Sequence, residues 1–236
     1  MPDSAERKRR DPDASRMALI EATLDSIAED GLTETTVSNI IARAGLSRGM
    51  VHLHFGSKDK LLGEAAQVFS ARYYAAMDRM LGPDPMSPEA RVMTIVAADL
   101  SPVLLNRRDA SIWHAFRGAA SSQPQIARYS SIQDDRLVAE LRQALEALCP
   151  AGPEASQLAG DATYGTLCLL EGMWVHYMTD PARFSRTDSF LLVRRLLAGL
   201  FPGRFTGADT LPEALPRSVS EVFGEDDRRS GSFATG

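Results

Sequence analysis

Arg48, Gly49, Met50, His52, His54 and Lys58 crowd into one short stretch of the chain. An arginine offers planar donors that match the acceptors of a base edge or a phosphate, a histidine adds a ring donor, and a lysine adds a mobile charge. A glycine among them lets the backbone come close to a partner, and a methionine brings an apolar surface. Together these groups suit recognition of a polyanion, provided that one rigid element turns them to the same side. His52 and His54 could also suggest a metal, but no third ligand of suitable type lies nearby, so neither a metal nor any cofactor is expected.

The flanking pattern supplies such an element. Met17, Ile20, Leu24 and Ile27 recur at helical spacing and Gly31 suits a helix end, which predicts a first helix over 14–30. Thr35 or Thr36 can cap a second helix whose inner face is Val37, Ile40, Ile41 and Ala44, with Gly45 closing it. Ser47 caps a short third helix on which Val51 and Phe55, one turn apart, face inward while Arg48, Gly49 and His52 face outward. Ser57 caps a fourth that runs to about Leu81, with Leu61, Leu62, Ala65, Val68 and Phe69 on its buried side. The prolines of 82–88 cannot continue it, and helical patterns follow over 88–105, 110–121, 125–148, 154–178 and 188–201.

No strand-like alternation stands out, so the fold class is all-α, with about nine helices. The expected division is a basic flexible arm over 1–13, a three-helix domain over 14–60, which the resemblance given below makes the helix-turn-helix DNA-binding domain, a helical domain over 61–201, which it makes the ligand-sensing and dimerisation domain, and a partly disordered tail over 202–236. A hydrophobic fraction of 44% in 236 residues is enough for a buried core, and the net charge of −5 argues against a protein that coats nucleic acid everywhere. Positive charge is concentrated at Arg7, Lys8, Arg9 and Arg10 and then appears singly at Arg43, Arg48, Lys58 and Lys60. Cys149 and Cys168 are the only cysteines, too few for a disulfide scaffold, which fits a reducing cytoplasm. The N-terminus has basic residues without an apolar run behind them, and no later stretch is apolar for long enough to span a bilayer, so no membrane partner is expected.

Two helices joined by a tight glycine-containing turn, the second short and polar at its start, are what a major-groove reader requires. The run from Thr35 to Leu62, with AGLS as its turn, resembles the TetR-family helix-turn-helix signature in residue types and spacing. Carried over by position, the resemblance implies a phosphate contact from Thr35 or Thr36, Ser47 as the cap of the reading helix, Arg48 as the main base-edge reader and Gly49 as the point of close approach. Met50 could touch a thymine methyl, and Lys58 would bind phosphate together with the helix N-terminus around it. His52 and His54 stand where the family usually has tyrosines that bind phosphate, so their contribution departs from the pattern.

In the C-terminal half, Leu158, Ala162, Gly165, Leu169, Gly172 and His176 recur as the seam of a helix that packs along another. The resemblance implies that this stripe, with Phe190, Val193, Leu197 and Leu200, forms a four-helix dimer interface; packing within one subunit is the other reading. A second stripe of the same helix, Tyr164, Cys168, Glu171, Val175 and Met178, with Trp174 at its margin, should face the interior of the domain. An acid on that face needs a cation, which Arg117, Arg128 or a cationic ligand could supply. Trp113, Phe116, Tyr129 and Tyr177 could give aromatic faces for a quaternary ammonium group.

IWHAF and LLEGMWVHYM are similar to the BetI-type subgroup, whose effector is choline. The resemblance therefore implies a cytoplasmic, ligand-responsive homodimeric repressor of a pseudo-palindromic double-stranded DNA operator, released by a small-molecule effector, choline-like or otherwise. It is not an enzyme: no Ser-His-Asp set, phosphate loop or metal spacing occurs. A helical dimeric adaptor without specific DNA binding is the alternative.

Overall fold

The structure is a computed structural model and describes residues 11–129 and 135–207. Ten helices follow in order, with no strand among the described residues: α1 (Pro12–Glu34), α2 (Val37–Ala44), α3 (Arg48–Phe55), α4 (Lys58–Leu81), α5 (Pro88–Asp99), α6 (Arg107–Ala120), α7 (Pro124–Ala127), α8 (Asp135–Glu146), α9 (Ala155–Thr179) and α10 (Arg186–Leu200). The all-α class is as the periodicity implied.

Local chemistry sets the ends of these helices. Asp11 caps α1 by accepting from the Asp13 amide, and Pro12 opens the first turn. Gly31, at φ 82°, breaks α1 where the sequence pattern ends it, and one further turn follows. The Thr36 hydroxyl accepts from the Asn39 amide at 3.2 Å and so caps α2. Gly45 ends α2 in the left-handed region, at φ 63°, which lets the chain turn sharply into α3. The Ser57 hydroxyl accepts from the Lys60 amide and caps α4.

The chain divides into two compact units. The first holds α1–α3, the part of α4 up to Ser70, and the stretch from Ser111 through α7. Its core joins Leu19, Ile20, Leu24 and Ile27 of α1 to Ile40, Val51, Phe55, Leu61 and Leu62, and then to Ile112, Phe116 and Ile126. Phe69 meets the edge of Phe116 with ring centroids 6.1 Å apart. The division falls inside α4 and α6, because apolar residues of α6 and α7 complete the first core.

The second unit holds Ala71–Ala110 and α8–α10. Most of α5 is buried, from Val92 to Asp99. Arg186, itself buried, donates to the Leu100 and Leu105 carbonyls of the α5–α6 connection and lies over the Tyr177 and Phe184 rings at 5.0 and 5.9 Å. Its fork thus ties the start of α10 to two carbonyls that no helix satisfies.

Three expectations change. The single helix over 125–148 is two, α7 and α8, since the Tyr129 amide already bonds back to the Ile126 carbonyl in a turn and the residues from 130 to 134 lie outside the described ones. The expected arm is helical from Pro12, while Arg7–Arg10 lie outside the described residues. The expected tail does not begin at residue 202: Phe205 is buried near Phe201, and Arg204 pairs with Glu89 at 2.9 Å. The part from 208 onward lies outside the described residues.

Arg186→Lys keeps the charge but loses the fork, and should lower unfolding free energy by about 2 kcal/mol in a denaturant titration. An unchanged midpoint would mean that the two carbonyl bonds contribute nothing.

Candidate functional site

Val51 and Phe55 are buried in the first unit, and this fixes what the rest of α3 presents. Arg48, Gly49, His52 and Leu53 form an exposed stripe. Arg16 lies over the Phe55 ring at 5.5 Å and pairs with Glu64, closing the outer edge of the anchor. Ser47 stands at the N-cap position with no capping hydrogen bond from its side chain. Lys58 is half-buried at the start of α4, where amides and charge converge.

The remaining expected reading residues divide. Thr36 is exposed, whereas Thr35 is fully buried with its hydroxyl donating to the Gly31 carbonyl at 2.8 Å. Thr35 therefore has no surface for a phosphate, and the choice between the two falls on Thr36. His52 is exposed and its Nδ1 lies 3.0 Å from the Gly56 carbonyl, which leaves Nε2 turned to solvent. His54 turns the other way: its Nε2 is buried with no hydrogen-bond partner among the described residues, so it offers no phosphate contact there. Met50 is half-buried and packs against the core. Leu53, by contrast, is 73% exposed, and the sequence pattern gave it no role. Arg43, also basic and nearby, is engaged by Glu29 at 2.8 Å.

The expected ligand residues fall in both units. Trp113, Phe116 and Tyr129 belong to the first unit. Phe116 is core there, Arg117 lies over Trp113 at 5.3 Å, and Arg128 lies over Tyr129 at 4.9 Å. Tyr164, Cys168, Glu171, Trp174 and Met178 belong to the second unit. Trp174 is buried, Glu171 and Met178 are half-buried, and Tyr164 and Cys168 are exposed. A cavity of about 390 Å³ in this unit is bordered by Met93, Thr94, Arg194 and Phe205, and none of the expected ligand residues lines it.

A polar cluster that the sequence reading missed lies in the same unit. Asp99, buried, accepts from the Tyr73 hydroxyl at 2.6 Å and from the Trp174 indole N–H at 2.9 Å. Tyr73 meets Tyr74 edge-on at 5.2 Å and Trp174 at 6.3 Å. Burial pushes the Asp99 carboxyl up to about 6, its two hydrogen bonds oppose the rise, and the neighbouring Glu171 adds to it. The available signal was an acid closing an otherwise apolar helix, VMTIVAAD.

Of the expected dimer residues, Ala162, Phe190, Val193 and Leu197 are wholly inside the second unit and have no surface left for another chain. Leu158, Gly165, Leu169 and Leu200 are half-buried, and Gly172 and His176 are exposed, with His176 edge-on to Phe184. The large apolar groups that α9 and α10 leave outside are Tyr164, Val175 and Leu192, at 66, 39 and 46% exposure. The face expected to point inward is thus turned out. Its place is taken by Thr163, Thr166, Leu170 and Met173, and the Thr163 hydroxyl is satisfied by the Ala159 carbonyl one turn back.

Residues 19–75 match the profile for bacterial regulatory proteins of the tetR family, and residues 88–202 match that for the C-terminal part of BetI-type transcriptional repressors. The HTH-type transcriptional regulator BetI of Burkholderia thailandensis is 32% identical over 161 residues, which cover 68% of this chain and 80% of that protein. This chain belongs to the TetR family. BetI of Stenotrophomonas maltophilia is 31% identical over 74% of this TetR-family chain and 86% of its own length. A transcriptional regulator from Pseudomonas aeruginosa PAO1 superposes with a TM-score of 0.70 at 27% identity, over 86% of this chain and 98% of that one. A regulator from Saccharomonospora viridis, solved in complex with choline, shares the fold at a TM-score of 0.64 and 19% identity, over 78% and 96%. The TetR-family relatives are transcriptional regulators, not enzymes. Among the described residues of this regulator, no cluster of three His, Cys, Asp or Glu side chains could hold a metal, and no helix is long and apolar enough to cross a membrane.

Because the Asp99 carboxyl titrates higher folded than unfolded, the folded state holds the extra proton between the ordinary 3.8 and about 6. Stability from this group is therefore full below that window and falls as pH rises through it. Asp99→Asn should flatten that fall, the Tyr73 hydroxyl turning to accept from the new amide. Thermal melts of both proteins from pH 4 to pH 7 check this; the same slope in both would remove Asp99 as its source.

Proposed function

We propose that this regulator is a repressor that binds a pseudo-palindromic operator as a homodimer and is released by a small organic cation. One observation carries the reading. In a segment that matches the tetR-family profile, α3 buries Val51 and Phe55 and turns Arg48, Gly49, His52 and Leu53 outward. Arg48 reads a base edge, while Thr36, Ser47 and Lys58 hold phosphates.

A dimer supplies two such helices about 34 Å apart, one turn of duplex, as successive major grooves require. The outward apolar groups of α9 and α10, Tyr164, Val175 and Leu192, support a partner on that face. The cluster of Asp99, Glu171, Tyr73, Tyr74 and Trp174 supports a cationic effector, since a carboxylate with aromatic walls suits an ammonium group. The choline found in the Saccharomonospora regulator makes choline the first candidate. Tyr73 and Lys58 belong to one helix, α4. An effector that takes over the Asp99 carboxylate frees Tyr73 and so acts on the helix that starts beside the reading stripe. It must bind the released state more tightly than the DNA-bound one.

Duplexes enriched by the full chain from a randomised library provide the test, read by gel shift with and without choline. Wild type should retain a two-half-site duplex, Arg48→Ala should bind it at least about tenfold more weakly, and choline should raise the melting temperature and release the DNA. Equal retention of random and enriched duplexes by both proteins would leave a helical adaptor; retained DNA at saturating choline would exclude it as effector.

A further inference from the structure

We infer that Leu53 is a specificity-determining residue: its side chain contacts the 5-methyl group of one thymine in each half-site, within an opening left by Gly49. This rests on the reading of α3 as the groove helix and adds the base that its apolar group selects.

Leucine is among the residue types most strongly driven inside, and a single exposed leucine is in itself ordinary. Three observations set this one apart. It is the most exposed large apolar side chain among the described residues, on a helix whose core side is already complete with Val51 and Phe55. It shares its stripe with Arg48, whose guanidinium donates to a nucleic acid, so the surface around it suits a polyanion and not an apolar protein face. Met50, the apolar residue that the sequence pattern nominated for a thymine methyl, is half-buried against the core and is the poorer candidate.

Gly49 supplies the rest of the geometry. A glycine weakens a helix, and here nothing among the described residues crowds the position. Its backbone is ordinary helix, and an added Cβ would meet only the Ser47 hydroxyl, at 4.0 Å. The turn is therefore open to a partner that approaches the backbone there. Gly49 lies one turn before Leu53, and helix side chains lean toward the N-terminus, so the leucine leans over the turn where the side chain is missing.

A base edge entering that opening meets an apolar wall. In the major groove only thymine presents an apolar group, its 5-methyl; the other bases present donors and acceptors. Cytosine in the same place carries only hydrogen at C5, so the leucine loses its methyl contact and the position favours thymine.

The test uses the full chain and a duplex that it has enriched from a randomised library. Each thymine is replaced in turn by deoxyuridine, which removes the methyl group alone. For wild type, one symmetry-related pair of thymines should be sensitive, with binding weakened about fourfold per half-site. Leu53→Ala, a surface change that should leave the melting temperature in place, should bind the parent duplex more weakly and be indifferent to deoxyuridine at that pair. The inference is overturned if no thymine is sensitive in wild type, or if wild type and Leu53→Ala respond alike at every position. It is also overturned if Leu53→Ala changes the sedimentation of the free protein and not its DNA binding, which would place the leucine in a protein interface. Failure of wild type to enrich any duplex would strike the reading of α3 itself, a result separable from failure of the thymine contact.

Discussion

An isolated helix of eight residues is not stable in water, so α3 is held by burial of Val51 and Phe55. Those two side chains are one turn apart on one face and therefore fix the rotation of the helix about its axis. Everything the reading stripe offers follows from that rotation: Arg48, Gly49, His52 and Leu53 face outward because the anchors face inward. The same core extends to Ile112, Phe116 and Ile126, so the platform beneath α3 depends on residues far along the chain as well as on its immediate neighbours.

The second unit is organised differently, by directional polar bonds within an apolar interior. Asp99 links α5 to Tyr73 of α4 and Trp174 of α9, and Arg186 links α10 to the connection after α5. Packing between aliphatic faces tolerates small slides, whereas a carboxylate with two donors holds one arrangement. Such a group also responds to a proton or a cation, which is why the proposed effector site and the mechanical centre of the unit coincide at Asp99.

What could be read from the sequence was local. The caps and glycines that end helices, such as Ser57, Gly31 and Gly45, act within a few residues, and the spacing of Val51 and Phe55 is enough to orient α3. Thr35 and Thr36 could not be separated, because the outcome depends on which hydroxyl finds the Gly31 carbonyl. The inward face of α9 could not be read because its buried threonines look polar, although Thr163 satisfies its hydroxyl within its own helix. Asp99 stands out as an acid closing an apolar helix, but its partners could not be read because its donors lie 26 and 75 residues away. Leu53 carried no signal in the pattern, because its 73% exposure depends on how Val51 and Phe55 anchor the helix.

The central claim, that α3 is the element that enters the major groove, is tested most directly by amide hydrogen exchange with and without an enriched duplex. The account predicts slowed exchange across Ser47–Phe55 and the first turn of α4, with the strongest effect at Arg48–Leu53. Protection confined to α9 and α10, with exchange in α3 unchanged by DNA, would contradict it.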